Sequence, residues 1–136
     1  MISGSCLCGG VQFEISGELA PIQICHCSQC RKAQGSAFAT NTPVRESNFQ
    51  SNFHLLSGRD QIGSFESSPG KQRCFCKHCG SPVYSKTDKL PGVIRLRAGT
   101  LDGELAVKPE AHYYVASKAN WYCIEDELPQ FNEWRL

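Results

Sequence analysis

Apolar and polar residues alternate in short runs along the chain: Val11 to Ile15 (VQFEI), Pro21 to Ile24, Phe38 to Thr42, Phe53 to Leu56, Ile62 to Phe65, Val93 to Leu96 and His112 to Val115. A period of two sends successive side chains to opposite faces of a strand, so these segments are predicted strands. Gly9-Gly10, Gly17, Gly58, Pro69-Gly70, Pro91-Gly92 and Gly103 interrupt the pattern at intervals too short for long helices. Ser28 to Ala33 and Asp102 to Leu105 have room for a helical turn or two. The predicted fold class is all-β (mostly β), with little helix.

Composition narrows the picture by exclusion. A length of 136 residues suits one domain with a real core, predicted to span 1–136. Fourteen Lys and Arg against thirteen Asp and Glu leave a net charge of +1, too little field to hold nucleic acid or an anionic membrane. The opening MISGSCLCGG lacks the basic and apolar regions of a signal peptide, and no run approaches the ~18 apolar residues of a membrane span. A cytoplasmic protein is expected, without a nucleic-acid or membrane partner. Oligomeric state is not legible in the composition, and a homodimer is compatible with it.

Nine cysteines change the picture. Seven fall in three groups: CLC (Cys6, Cys8), CHCSQC (Cys25, Cys27, Cys30) and CKHCG (Cys76, Cys79). An odd total and CxC pairs too close to bridge comfortably argue against a disulfide framework, and favour metal ligation in a reducing compartment. Zinc takes four ligands, so seven thiolates divide into one closed structural site and one site with a vacancy. A CxxC pair followed by Gly80 makes a knuckle in which backbone N–H groups turn toward the sulfurs, and Cys6-Leu7-Cys8-Gly9 has similar turn chemistry. Pairing them would staple the N-terminus to the middle of the chain. An iron–sulfur cluster is the alternative, but the spacings do not match the usual ferredoxin patterns.

Cys25, Cys27 and Cys30 bring three thiols within six residues. Spacing leaves open whether Cys74 or a histidine completes a second structural tetrahedron. If the site is open, three thiolates on Zn²⁺ leave a net charge of −1, which makes the metal a weak electrophile and disfavours hydrolysis. A substrate thiol could take the fourth position instead, lose its proton and remain a strong nucleophile. Arg31 and Lys32 could offset the charge or meet substrate carboxylates. His26, between two ligands, is expected to point its ring away, where it packs or hydrogen-bonds; a direct catalytic role is the other candidate.

The ordered set SCLCGGVQFEISG, CHCSQCRKAQGSAFA, FCKHCGSPVY and HYYVASKANW followed by LPQF resembles the glutathione-dependent formaldehyde-activating family, from about Ser5 to Phe131. The resemblance implies a single domain of coiled antiparallel sheets stapled by two zinc ions. Cys6, Cys8, Cys76 and Cys79 would hold the structural zinc, and Cys25, Cys27 and Cys30 the second. It further implies carbon–sulfur lyase chemistry, the reversible joining of glutathione and formaldehyde into S-(hydroxymethyl)glutathione. The family is broad and includes centromere protein V, so shared ligands do not certify a shared substrate.

Under this expectation a thiol at the Cys25/Cys27/Cys30 zinc adds to a small aldehyde, and His26 or His112 gives a proton to the alkoxide. His112 could equally be a strand residue with a satisfied ring. The alternative is a zinc-stabilised binding module without catalytic activity. Cys74 and Cys123 lie outside the seven-cysteine pattern and read as small core residues. Asn120 precedes Trp121 where the family often has Pro. Trp121, Tyr122, Phe131 and Trp134 read as core or tail packing. The sequence does not say which of Arg31, Lys32, Arg73 and Lys118 converge on the second site.

Overall fold

Ten strands and one short helix carry the chain in a computed structural model that describes residues 1–46 and 51–134. The strands are β1 (Ile2–Ser5), β2 (Gln12–Gly17), β3 (Ile22–Cys25), β4 (Ala39–Arg45), β5 (Ser51–Ser57), β6 (Ile62–Ser68), β7 (Lys71–Cys76), β8 (Pro82–Thr87), β9 (Val93–Arg97) and β10 (Pro109–Tyr113). The helix α1 (Ser28–Gln34) follows β3. One sheet runs in the order β1-β2-β5-β4-β9-β8-β7-β6, and β3 branches from β4 to carry β10. The mostly β architecture agrees with the alternating pattern.

Alternation explains the core. Phe13 and Ile15 of β2 point inward while Gln12 and Glu14 do not, and Ile94 and Leu96 of β9 are buried while Val93 and Arg95 are only half-buried. With Val11, Val44 and Val83 they form the main core cluster, and Cys6 and Cys76 belong to the same cluster. Each fully buried Phe, Ile or Leu contributes about 1.5–3 kcal/mol relative to exposure. The first cysteine group is therefore built onto the core itself.

Branching at β4 positions the second group. β4 pairs with β3 through Ala39 to Asn41 and with β9 through Asn41 to Arg45. Cys25, the last residue of β3, sits between Ala39 of β4 and Tyr113 of β10. A small cluster of Cys25, Cys30 and Ala39, with Cys27 and Tyr114 packed against it, forms there.

Several expectations need correction. The sheet is not wholly antiparallel, because β10 lies parallel to β3 and β4 meets β5 in parallel at Arg45. Asp102 to Leu105 is not helical: a 3₁₀ turn lies earlier, at Ala98–Thr100, and Gly103 takes a left-handed φ of 77°. The strand expected at His112 to Val115 ends at Tyr113, because Tyr114 adopts a left-handed φ of 58°. β1, β7 and β8 were not expected; GS in β1, KQRC in β7 and SKT in β8 dilute the apolar signal with groups whose partners lie far off in sequence. Trp121 is 69 % exposed rather than packed, and Cys123 is exposed rather than core.

Gly58 fixes how the first cysteine turn meets the sheet. Its φ is 84°, and a Cβ there would come within 2.4 Å of the Gly10 carbonyl oxygen. Gly58→Ala is predicted to lower stability by roughly 2–4 kcal/mol, the sum of left-handed strain and a backbone clash. An unchanged urea midpoint would contradict this close approach.

Candidate metal centres

Cys6 and Cys8 lie in the turn between β1 and β2, Cys76 ends β7, and Cys79 lies in the turn into β8. Their four sulfurs all lie within 4.8 Å of one another. Cys6 Sγ is 3.5 Å from Cys8 Sγ, and Cys8 Sγ is 3.8 Å from Cys76 Sγ. Zinc–sulfur bonds of about 2.3 Å give a tetrahedron with edges of about 3.8 Å, so this donor set fits zinc.

Local backbone geometry makes the fit. Gly9 donates its N–H to Cys6 O at 3.1 Å, and Gly80 to Cys76 O at 2.7 Å. Both glycines need positive φ, 78° and 80°, to close these turns. Val11 N–H points at Cys6 Sγ from 3.3 Å. The Ser81 hydroxyl accepts the Leu7 N–H at 2.9 Å and lies 3.2 Å from Cys79 Sγ, joining the two turns. That hydroxyl is the main reason the Cys79 thiol is drawn down to about 5.

The second group is built at a strand-to-helix junction. Cys25 ends β3; Cys27 caps α1, its Sγ accepting the Cys30 N–H at 3.2 Å; and Cys30 Sγ lies 3.3 Å from Cys25 Sγ. The three sulfurs lie within 4.8 Å of one another, and among the described residues no histidine, carboxylate or fourth cysteine joins them. Cys74, a candidate for closing the site, is buried on β7 against Tyr84 instead.

Electrostatics set this group apart. The neighbouring Cys27 and Cys30 thiols push Cys25 far above the ordinary thiol range, with burial adding to the effect. Cys30 is driven far down by hydrogen bonds from Cys25 and Cys27, and further by Arg73. Three touching sulfurs cannot all be anionic without a cation among them, which is the donor chemistry of a metal site. Arg73 holds both Nη atoms 3.7–3.8 Å from Cys30 Sγ, and its Nε donates to Ser67 Oγ at 3.1 Å. Arg97, also buried, donates to Asn41 Oδ1 at 2.6 Å and Gln34 Oε1 at 3.0 Å, and burial pulls its guanidinium down to about 10.

Of the four cations considered from sequence, Arg73 alone has a hydrogen bond to the sulfurs among the described residues. Lys118 Nζ donates instead to the carbonyls of Ala119 and Tyr122. Lys32 is exposed and shares an outer groove with Arg73 and Phe65, and among the described residues no ion pair or side-chain hydrogen bond takes Arg31 to the cluster. Sequence reasoning missed Arg95 and Arg97. Their signal was present in the alternation of Val93-Ile94-Arg95-Leu96-Arg97, which sends both arginines to the face opposite Ile94 and Leu96.

His26 is fully buried, with its N–H on Tyr113 O at 2.9 Å. Its Nε2 lies 2.8 Å from His112 Nδ1, and His112 Nε2 lies 3.0 Å from an Asp126 carboxylate oxygen. An ionised carboxylate only accepts, so His112 donates from Nε2; in the tautomer with His112 neutral, its Nδ1 accepts the His26 Nε2–H. His26 Nδ1 is left without a partner. Burial first, and His112 next, hold the His26 imidazole down at about 4, so it is neutral near pH 7. Phe38 packs edge-on against it, with Tyr122 alongside. His112 is thus a strand residue with a satisfied ring.

A strand-rich sheet carrying one four-thiol group and one three-thiol group beside buried arginines defines a class of cysteine-rich metal-site proteins. The model of the glutathione-dependent formaldehyde-activating enzyme family matches residues 1–117, and the chain belongs to that family. Membership makes it an enzyme of lyase type. A relative from Halomonas elongata, provisionally named a glutathione-dependent formaldehyde-activating enzyme, is 29% identical over 134 residues, covering 92% of this chain and 82% of the relative. An uncharacterized lyase of Schizosaccharomyces pombe is 28% identical over 135 residues, covering 92% and 93%. A crystal structure of a Rhodobacter sphaeroides protein shares the fold, with a TM-score of 0.61 at 23% identity over 78% of this chain and 97% of that one. Among the described residues no helix is long and apolar enough to cross a membrane, which says nothing of strand-built spans.

The buried imidazole pair is predicted to frame the Cys25–Cys27 turn. His112→Ala should lower stability by roughly 2–4 kcal/mol, because it removes a buried ring and strands the His26 N–H. Denaturant melts check this, and an unchanged midpoint would contradict a framing role.

Proposed function

We propose that this chain is a zinc-dependent carbon–sulfur lyase of the S-(hydroxymethyl)glutathione synthase type, joining and releasing glutathione and formaldehyde. The observation that carries the reading is a group of three thiols with no fourth protein donor beside it among the described residues, whereas the other group has four. Family membership and the names of the two relatives support the glutathione–formaldehyde pair. Thiolate ligands need a reducing compartment, which favours the cytoplasm. The domain is taken as one unit over 1–136.

Cys6, Cys8, Cys76 and Cys79 would hold a structural zinc and close the N-terminal turn onto β7. Cys25, Cys27 and Cys30 would hold the second zinc. When bound there, it supplies a coordination position at which a substrate thiol ionises.

Arg73 and Arg97 then have a defined task. Three cysteine thiolates and a substrate thiolate with a divalent cation held there would total −2, and two guanidiniums beside the cluster would offset that charge. The substrate sulfur keeps its nucleophilic electron pair because its neighbours are electron-rich thiolates. It attacks the aldehyde carbon, the carbonyl π pair moves to oxygen, and the oxygen takes up a proton. The thiol's own proton balances that uptake, so the addition needs no net proton. Neutral His26, buried behind the turn, acts as a positioning residue for Cys25 and Cys27.

Exchange NMR of ¹³C-formaldehyde with glutathione tests the reaction. Zinc-loaded protein should accelerate adduct interconversion above the uncatalysed rate, and Cys27→Ala should abolish the acceleration with the fold intact. No acceleration by fully loaded protein would remove this substrate pair and favour a binding module. Metal analysis should find two zinc ions per chain. A mild chelator should remove the three-thiol zinc first, and loss of both ions together would contradict the division into open and closed sites.

A further inference from the structure

The sheet presents a row of cations next to the second cysteine group. Alternation puts Lys71 and Arg73 on one face of β7, and Arg95 and Arg97 on one face of β9. Register sets Arg73 opposite Ser85 and Ser85 opposite Arg95, so the cations flank β8 on both sides. Arg73 reaches Cys30 Sγ, and Arg97 the neutral side chains of Asn41 and Gln34. Lys71 and Arg95 stand farther out, in the wall of a cleft of about 270 Å³.

This cleft has one sign of charge. Lys71, Lys86, Lys89 and Arg95 line it, together with serines, Thr87 and Tyr114, and no Asp or Glu lines it. Among the described residues, Lys86 pairs at 3.7 Å with Glu46, while Arg95 lies over the Trp134 ring at 4.7 Å. Lys71 is half-buried, and that burial, followed by the charge of Arg73, pulls its ammonium down; Cys30 and Cys27 act in the opposite sense. A cation partly withdrawn from water without a carboxylate is costly, and an arriving anion relieves that cost.

Tyr114 connects cleft and cluster. It packs against the cluster of Cys25, Cys30 and Ala39 and also lines the cleft, and it is the one non-glycine described with a left-handed φ. Backbone strain of this kind persists where surrounding structure over-determines it. A ligand whose sulfur sits at the three-thiol group could extend past Tyr114 into the cationic cleft. The volume is near the lower end of small-ligand pockets, roughly 300 Å³, which suits a small peptide rather than a macromolecule.

We propose that this cleft is a carboxylate-binding subsite that selects thiols bearing carboxylates several bonds from the sulfur, with Lys71 and Arg95 as its specificity-determining residues. The proposal rests on the lyase reading of the adjacent site. Lys71 and Arg95 hold a substrate carboxylate near the cluster, and Lys86 and Lys89 hold the outer wall positive. Small neutral thiols reach the same metal position without this grip.

Two measurements test it, one independent of turnover. In exchange NMR with ¹³C-formaldehyde, Lys71→Gln and Arg95→Gln should each raise KM for glutathione roughly 10- to 100-fold, the value of one charge-assisted hydrogen bond, leaving KM for 2-mercaptoethanol unchanged. Acceleration with equal KM for glutathione and its diethyl ester would overturn the subsite and leave the lyase reading standing. S-methylglutathione, which has no thiol to ionise, separates the two failures if no thiol is turned over. Titrated into ¹⁵N-labelled zinc-loaded protein, it should shift the Lys71, Thr87 and Arg95 amides saturably, and its diethyl ester should not. Equal shifts from both compounds, or none from either, would overturn the subsite.

Discussion

Sulfur atoms packed within about 4 Å of one another carry negative charge together only around a cation, and the architecture follows from that constraint. Cys6 and Cys8 come from the start of the chain and Cys76 and Cys79 from its middle, yet Cys8 and Cys76 sulfurs stand 3.8 Å apart. Cys6 and Cys76 are also part of the main core. The candidate metal ligands and the hydrophobic core thus share residues. A metal joining segments this distant removes loop entropy that a chain of 136 residues would otherwise have to offset by packing alone.

The second group obeys the same constraint with one ligand fewer and different neighbours. Its sulfurs are flanked by Arg73 and Arg97, whose hydrogen bonds go to sulfur, hydroxyl and amide groups. Buried cations without carboxylates are expensive unless anions sit nearby. The Cys30 thiolate beside Arg73 is such an anion, and a metal-bound thiolate cluster would supply more. Behind the cluster, His26, His112 and Asp126 hold the β3-to-α1 turn through a chain of hydrogen bonds in which the buried His26 ring stays neutral.

Much of this was legible in the sequence because its signals are local. Strand alternation found β2, β3, β4, β5, β6 and β9, and the CHCSQC spacing implied a helical turn starting at Ser28. The grouping of Cys6, Cys8, Cys76 and Cys79 followed from two glycine-closed turns, and the distances agree with it. Long-range facts were hidden. Nothing local to Cys74 says that it faces Tyr84 rather than the second cluster, and nothing near His26 announces His112 or Asp126. Arg73, one of four cations whose place the sequence leaves open, becomes a partner of Cys30 only once β7 is laid beside α1. Tyr114 gave no signal, since an aromatic residue after an alternating run reads as more strand.

The central claim is that one site is filled by four cysteine sulfurs while the other keeps a position for a substrate thiol. Zinc K-edge X-ray absorption on the two-zinc protein, with and without glutathione, measures it most directly. The account predicts about 3.5 sulfurs per zinc on average without thiol, with a light-atom neighbour at about 2.0 Å, rising to about 4 sulfurs when glutathione is added. An average of about 4 sulfurs before any thiol is present, unchanged by glutathione, would contradict it.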